Sequence, residues 1–309
     1  MSSQRVGTGF GVVVVGTDFS GDARRALRRA SMLAYRPGAQ VVVAHVITGL
    51  IPHKIAAEHT AAVTAGVQAA AVELSRQLTR RGRTDLEVSA RVLRGGTPAA
   101  LGGLATELRA ELIVLGRRGR RGLRDLLVGS TAQRIVRGSR ATILVVGAPP
   151  RRPYRLGILG FDLSVHSVRA ATLLARALPA GAHAVVVHAE PDPYADVPAA
   201  FRRRKDRSQA IDSAEAIRAT AETIARMLSA LDQHGADWQV EVHVGDPRRV
   251  ILAAARREGA DLIAMGSLGR TGLHRLAVGS VAEGVLVHAT ADVLITPARP
   301  LPPLTARGW

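Results

Sequence analysis

The chain has 309 residues, of which 47% are hydrophobic and 3% aromatic, and its formal net charge is +17. That length suits two domains of about 150 residues each, and the hydrophobic content excludes a globally disordered chain. The sequence contains no cysteine, which excludes disulfides, cysteine nucleophiles and thiolate metal sites.

The basic charge lies mainly in the first half of the chain. Residues 1–150 hold 22 Lys and Arg against 9 Asp and Glu, a net of +13, whereas residues 151–309 hold 20 against 16, a net of +4. Such an excess attracts polyanions. Only Lys54 and Lys205 are lysines, and so strong a preference for arginine is equally explained by genome composition. The charge alone therefore does not identify a partner.

Export and membrane signals are missing from the sequence as printed. The apolar run Val12–Val15 is too short for the core of a secretory signal. No apolar run approaches the roughly 20 residues of a membrane span. We therefore expect a cytoplasmic protein without a membrane span.

Apolar segments alternate with amphipathic ones through the first half. The buried strands that this pattern predicts cover residues 12–15, 41–46, 86–93, 112–115 and 141–146. The predicted helices begin after Ser20, at Pro52, at Pro98 and near Thr131, and the first is expected to continue until Arg36-Pro37-Gly38 stops it. Valine-rich strands that alternate with helices are typical of a parallel sheet with helices on both faces.

The same series then starts again. A Pro/Arg-rich linker at 149–154 separates a first domain at 1–148 from a second at 155–297, and residues 298–309 form a tail. Prolines at such density do not fit a sheet or a helix interior. Asp18 and Asp162 are 144 positions apart, and Gly116 and Gly266 are 150 apart. Gly129 and Gly279 are also 150 apart, so the glycine motifs keep the same internal spacing while the connections differ in length, and this predicts a duplicated domain.

Glycine loops follow the fourth predicted strand of each half. Gly116-Arg117-Arg118-Gly119 precedes Gly129-Ser130, and Gly266-Ser267-Leu268-Gly269 precedes Gly279-Ser280 with the same internal spacing. A glycine loop that leads into a helix N-terminus favours a phosphate, because the free N–H groups and the helix dipole both attract an anion. Ligands of such sheets bind outside the carboxyl ends of strands, so Asp18 and Gly116 are expected to face one crevice.

The Gly-Thr-Asp-Phe-Ser turn after the first strand, paired with G-x-x-G-x9-G-S after the fourth, resembles the ATP-binding type of universal stress protein. The resemblance implies two tandem flavodoxin-like or adenine-nucleotide α-hydrolase-like α/β domains. Each would hold a five-stranded parallel sheet in the order 3-2-1-4-5, with helices on both faces. The fifth strands of the two domains would pair as an intrachain pseudo-dimer, and a further homodimer stays open.

The resemblance also implies that ATP, with or without Mg²⁺, binds between the first turn and the glycine loop. Asp18 and Asp162 would contact the adenosine end, and apolar residues would pack the base. Glycines would let the backbone approach the ligand, and the G-S segments would donate to the phosphates. The implied residues are Gly16, Thr17, Asp18, Val46, Leu115, Gly116, Arg118, Gly119, Gly129, Ser130 and Thr131 in the first half, and Gly160, Asp162, Ala189, Met265, Gly266, Gly269, Gly279, Ser280 and Val281 in the second.

Two features distinguish the halves. Phe161 stands where the first half has the smaller Thr17, so the resemblance supports a base pocket less strongly in the second half than in the first. The first glycine loop carries Arg117, Arg118, Arg120 and Arg121. These arginines are explained by contact with ATP phosphates, by an RNA-binding loop or by a solvated loop. The lack of neighbouring aromatic residues disfavours nucleic acid as a partner.

Catalytic motifs are missing from the sequence. It contains no G-x-x-x-x-G-K-[ST], no carboxylates paired for magnesium and no evident base for an attacking water. We therefore expect an ATP-binding regulator or sensor of the stress response, with at most weak ATP hydrolysis and a protein partner still to be identified. The alternatives are a slow ATPase, or a basic interaction module for nucleic acid or protein with vestigial nucleotide sites.

Overall fold

A computed structural model describes residues 9–49, 52–119, 130–138, 141–191, 207–231, 237–268 and 279–297. The first half contains β1 (Phe10–Gly16), α1 (Gly21–Ala30), β2 (Tyr35–Ile47), α2 (His53–Thr79), β3 (Glu87–Arg94), α3 (Thr97–Glu107), β4 (Leu112–Gly116), α4 (Ser130–Gly138) and β5 (Thr142–Val146). The second half contains β6 (Leu156–Gly160), α5 (Val165–Ala177), β7 (His183–Glu190), α6 (Arg207–Leu231), β8 (Asp237–Val244), α7 (Pro247–Arg257), β9 (Leu262–Gly266), α8 (Ser280–His288) and β10 (Asp292–Thr296).

All ten strands form one sheet in the order β3-β2-β1-β4-β5-β10-β9-β6-β7-β8. Each half is parallel and has the predicted order 3-2-1-4-5. The halves meet through an antiparallel β5–β10 pair, in which Leu144 lies opposite Leu294. The predicted fold class and the pairing of the fifth strands are therefore confirmed.

Helices cover both faces of the sheet because its strands are apolar on both sides. Val13 and Val15 pack into one core layer with α1, α2, α5 and α6, which we call the α1 face. Val14 packs into a second layer with α3, α4, α7 and α8, which we call the α3 face. The alternation of side chains along a strand decides which layer each residue enters.

The first helix is shorter than the sequence predicts. Ser20 caps α1 as expected, because its side chain accepts a hydrogen bond from Ala23 N, but the helix ends at Ala30 instead of continuing toward Arg36. Strand β2 already begins at Tyr35, which pairs with Phe10 across a bulge. The Tyr35 side chain is 4% exposed. Burial of this ring therefore ends the helix earlier than the Pro-Gly signal.

A buried cluster of polar groups also joins the halves. The Asp292 side chain is fully buried and accepts hydrogen bonds from Arg29 Nε at 3.0 Å, Tyr154 Oη at 2.8 Å and Gly147 N at 2.9 Å. The Arg29 guanidinium lies over the Tyr154 ring, 3.8 Å from its centroid. An arginine of the first half is thereby held by a carboxylate and a ring of the second.

A second buried arginine makes the reciprocal contact. Arg176 of α5 lies over the Phe10 ring, 4.7 Å from its centroid, and donates to Gly9 O and to the Glu111 carboxylate. Phe10 and Tyr154 occupy corresponding places just before or at the first strand of their repeats. An arginine of each repeat therefore packs on an aromatic ring at or just before the first strand of the other repeat.

No helix within the described ranges is long and apolar enough to cross a membrane.

Candidate functional site

A cavity of about 130 Å³ opens where β1 and β4 end. Eight of the eleven residues predicted for the first half line it, namely Gly16, Thr17, Asp18, Val46, Leu115, Gly116, Arg118 and Gly119. Gly129 lies outside the described residues, and for Ser130 and Thr131 only the helical backbone is described. The sequence reasoning did not identify further lining residues from β2, α3 and α4, which are Ala44, His45, Thr97, Leu101, Ala132 and Ile135.

The turn after β1 is held by its own side chains. Thr17 Oγ1 accepts a hydrogen bond from Phe19 N at 3.1 Å, and Asp18 Oδ1 accepts one from Ser20 N at 3.0 Å. Phe19 has φ of 64°, a left-handed conformation that is uncommon for a residue other than glycine. Such strain is concentrated at functional sites, where the surrounding structure enforces it.

The corresponding turn of the second half has the same construction. Asp162 Oδ1 accepts from Ser164 N at 3.1 Å, and Leu163 has φ of 65°. Ser164 caps α5, because its Oγ accepts from Ser167 N at 3.2 Å. Phe19 and Leu163 occupy corresponding positions and share this left-handed conformation, although their side chains differ. The geometry of the turn, and not the type of side chain, therefore determines the conformation. Nothing in the residue types Phe and Leu signals this conformation.

A histidine at the end of the second strand of each half supports the turn. His45 Nδ1 lies 2.7 Å from Thr17 O, and His188 Nδ1 lies 2.6 Å from Phe161 O. A carbonyl oxygen only accepts, so Nδ1 carries the proton and donates it. The His45 ring also stacks on Phe19 with the centroids 4.7 Å apart. Each histidine therefore links the second strand of its half to the turn after the first strand through a hydrogen bond.

Glycine is required where the first glycine loop meets α1. A Cβ at Gly116 would lie 2.5 Å from the carbonyl carbon of Asp22, and one at Gly119 would lie 2.8 Å from Asp18 Oδ2. Arg118 N donates to Asp22 Oδ2 at 3.1 Å. The turn and the loop, although distant in sequence, thus touch each other and form one crevice, as the sequence predicts.

The second half repeats much of this geometry. A Cβ at Gly160 would lie 2.8 Å from Ile251 Cδ1, as one at Gly16 would lie 2.6 Å from Leu115 Cδ2. A Cβ at Gly266 would lie 2.8 Å from His166 Cβ. Met265 is buried and Ala189 is half-buried near the end of β7.

The end of the second glycine loop closes onto its start. Gly279 N donates to Ser267 O at 2.7 Å, and Gly279 is the N-cap of α8. Ser280 is exposed and Val281 half-buried in the first turn of that helix, and Gly269 lies outside the described residues. The first N–H groups of α8 therefore lie next to the loop that the sequence assigns to phosphate.

Phe161, at the position of Thr17 in the first half, belongs to the core of the second half. Phe161 is 3% exposed and packs in the core of the α1 face with Ala170 and Val186. Side chains alternate along β6, so Gly160 faces the α3 side, where Ile251 and Met265 lie, and Phe161 faces the opposite side. The large ring therefore fills the core of the α1 face, and a base pocket in the second half remains a prediction.

Arg117 and Arg118 of the first glycine loop make different contacts. The Arg117 guanidinium points to the second repeat and donates to Ala289 O at 2.5 Å and Ala291 O at 2.6 Å. Burial lowers the pKa of Arg117 from its ordinary value, and nearby Asp292 partly opposes that shift. Arg118 is exposed at the cavity, and Arg120 and Arg121 lie outside the described residues. Contact with phosphate therefore remains a prediction for Arg118 and is not the role of the Arg117 head group.

Metal binding by protein side chains alone finds no support in the described part of the chain. No three His, Asp or Glu side chains come together there as a metal site.

Comparison with known proteins gives a consistent result. A model of the universal stress protein family matches residues 9–147 and again residues 156–297. A universal stress protein of Methanocaldococcus jannaschii is 43% identical over 63 residues, which are 19% of this chain and 37% of that protein. One from Thermus aquaticus is 36% identical over 144 residues, which are 45% of this chain and 95% of that protein.

Solved structures show the same fold. The crystal structure of a universal stress protein from Archaeoglobus fulgidus matches with a TM-score of 0.65 at 16% identity, covering 93% of this chain and 98% of that one. The chain spans only 37% to 56% of the length of three curated relatives that it matches. Because one family model matches both halves, the chain belongs to the universal stress protein family.

Proposed function

We propose that this protein binds ATP and acts as a regulator or sensor of the stress response, without rapid turnover of the nucleotide. One observation carries the proposal: the Asp18 turn and the Gly116–Gly119 loop, separate in sequence, line one cavity at the carboxyl ends of β1 and β4. This is where open α/β sheets bind their ligands. The names of the relatives, which are universal stress proteins, support the physiological role.

The size and lining of the first cavity support binding of the nucleotide base. Its volume of about 130 Å³ is below the roughly 300 Å³ of a site for a drug-sized ligand, so it suits a base and not a whole triphosphate. Val46 and Leu115, which are 8% and 7% exposed, supply apolar surface for the base. The Asp18 carboxylate supplies acceptors for ribose hydroxyls. Ribose and phosphates would then extend toward the glycine loop and α4.

The phosphates would be held by backbone donors. In the second half, Gly279, Ser280 and Val281 begin α8, whose first N–H groups have no acceptor within the helix. The helix dipole adds attraction for an anion. ATP would supply the charge, and the chain would bind and orient it without contributing an evident catalytic base.

Calorimetric titration of the full chain with ATP tests the proposal. We expect two ATP bound per chain, and one of the two sites weakened in each of Asp18→Asn and Asp162→Asn. The asparagine oxygen keeps the hydrogen bond to Ser20 or Ser164, so the turn stays intact while the charge is removed. Losing a charged acceptor costs about 1.5–3 kcal/mol, which weakens that site roughly 10- to 150-fold.

Asp85→Asn is the matched control, since this exposed carboxylate pairs with Arg83 and does not line the cavity. No heat of binding at millimolar ATP, or binding that all three variants leave unchanged, would contradict the proposal. Phosphate release measured on the same samples separates a binding protein from a slow ATPase.

A further inference from the structure

Arg117 connects the first site to the second repeat. Arg117 follows Gly116 and is one of the residues that line the first cavity. Its guanidinium leaves that cavity, and donates through Nη1 to Ala289 O at 2.5 Å and through Nη2 to Ala291 O at 2.6 Å. One residue therefore touches both the proposed nucleotide cavity and the chain that joins α8 to β10.

The Arg117 guanidinium packs closely against Gly147. A Cβ at Gly147 would collide with it, so the absence of a side chain at that position makes room for the arginine. Ala289 is the C-cap of α8. A cation that bonds the last carbonyls of a helix is stabilised by the negative end of the helix dipole. The contact is thus supported both by shape and by charge.

The link exists in one repeat only. Arg117 N donates to Val146 O at 2.9 Å, and Ser267 N donates to Thr296 O at 2.8 Å, so the backbones correspond. Ser267 is 4% exposed and its side chain is too short to bridge the repeats as arginine does. Arg117 of the first glycine loop therefore bonds the second repeat, whereas Ser267, at the corresponding position of the second loop, has no side chain that could make the same contact.

Helix α8 joins the Arg117 contact to the second glycine loop. Its N-terminus begins at Ser280 beside the second glycine loop, and its C-terminal end is the one that Arg117 holds. Arg137 at the end of α4 also pairs with Glu283 of α8. A nine-residue helix moves largely as one body, so a displacement at one end changes the position of the other.

We propose that Arg117 is a positioning residue that couples the two nucleotide sites, so that ATP in the first site changes the affinity of the second. This rests on the proposed function, since it requires both sites to bind. Ligand at the first site fixes the Gly116–Gly119 backbone and with it the Arg117 arm, α8 and the Gly279–Ser280 segment. By linkage, ATP in the second site changes the affinity of the first by the same factor.

The test compares the full chain with its single-site variants by calorimetric ATP titration. Asp162→Asn, titrated at ATP concentrations that leave its weakened second site empty, measures the first site alone, and Asp18→Asn measures the second site in the same way. Two independent sites would reproduce the isotherm of the unaltered chain from those two constants. We expect the product of the stepwise constants to differ from the product of the single-site constants by at least about fivefold, the lower end of usual allosteric coupling.

Arg117→Ser, which introduces the residue of the second repeat, is expected to bring that factor to within about twofold of one. Arg117→Lys keeps the charge but not the paired donors, so we expect an intermediate factor, and it serves as the test if the serine variant does not fold. Arg28→Ser, at an exposed arginine of α1, is the control and should leave the coupling unchanged.

The outcomes separate the two proposals. An isotherm that two independent sites reproduce overturns the coupling and leaves ATP binding intact. Coupling that persists undiminished in both Arg117 variants overturns the role of this residue. A chain that binds no ATP overturns the proposed function and the coupling together.

Discussion

The buried carboxylate of Asp292 should be the most sensitive polar group at the junction of the repeats. Asp292 is 0% exposed and its partner Arg29 is 5% exposed. In Asp292→Ala, the guanidinium would lose its anion, and Tyr154 Oη and Gly147 N would lose their acceptor. Removing one partner of a buried ion pair typically costs 3–5 kcal/mol, and we expect Asp292→Ala to lower the free energy of unfolding by about that amount.

Urea unfolding followed by far-ultraviolet circular dichroism measures this loss in the full chain. Asp85→Ala, at an exposed carboxylate, is the control and should leave the midpoint unchanged. The double variant Arg29→Met/Asp292→Leu removes both charges. It should be more stable than the summed effects of Arg29→Met and Asp292→Leu, each measured alone, predict. A loss below about 1 kcal/mol in Asp292→Ala, or strict additivity in the double variant, would refute the reasoning.

Three further predictions follow from single groups. Gly116→Ala should destabilise the fold by about 1–3 kcal/mol in the same urea assay, because its Cβ would lie 2.5 Å from a backbone carbon of α1. Gly103→Ala is the control: it has open space around it in α3, and should stabilise the fold by about 0.5–1 kcal/mol. Ser20→Ala should cost about 1 kcal/mol of thermal or urea stability through loss of the α1 cap. Burial, with repulsion from Asp292, raises the pKa of Tyr154 well above its ordinary value. Its contribution to stability is therefore complete below about pH 10 and declines above it by about 1.4 kcal/mol per pH unit, and Tyr154→Phe should reduce that slope.

Repeated local patterns made the fold and the location of the site predictable. Valine-rich strands buried on both faces alternate with helices, and this order leaves few arrangements for a parallel sheet. The strand order came from the family resemblance, and the structure agrees with it. The cavity was predictable because Asp18 and Gly116 each follow a strand and parallel strands end at one edge.

Other features depend on contacts that one local stretch does not encode. Arg29 and Asp292 are 263 positions apart, and no pattern near either residue indicates the other. The direction of the Arg117 side chain depends on the space above Gly147, which only the assembled sheet creates. The face of Phe161, in contrast, follows from the alternation of side chains along β6.

A crystal structure of the full chain with ATP would show where the nucleotide binds. We predict adenine against Val46 and Leu115 and the ribose hydroxyls at Asp18. We also predict the phosphates along the glycine loop toward the N-terminus of α4, with the equivalent arrangement in the second half. ATP bound outside the crevice between the Asp18 turn and the Gly116–Gly119 loop, or crystals grown at millimolar ATP with no nucleotide in either half, would contradict it.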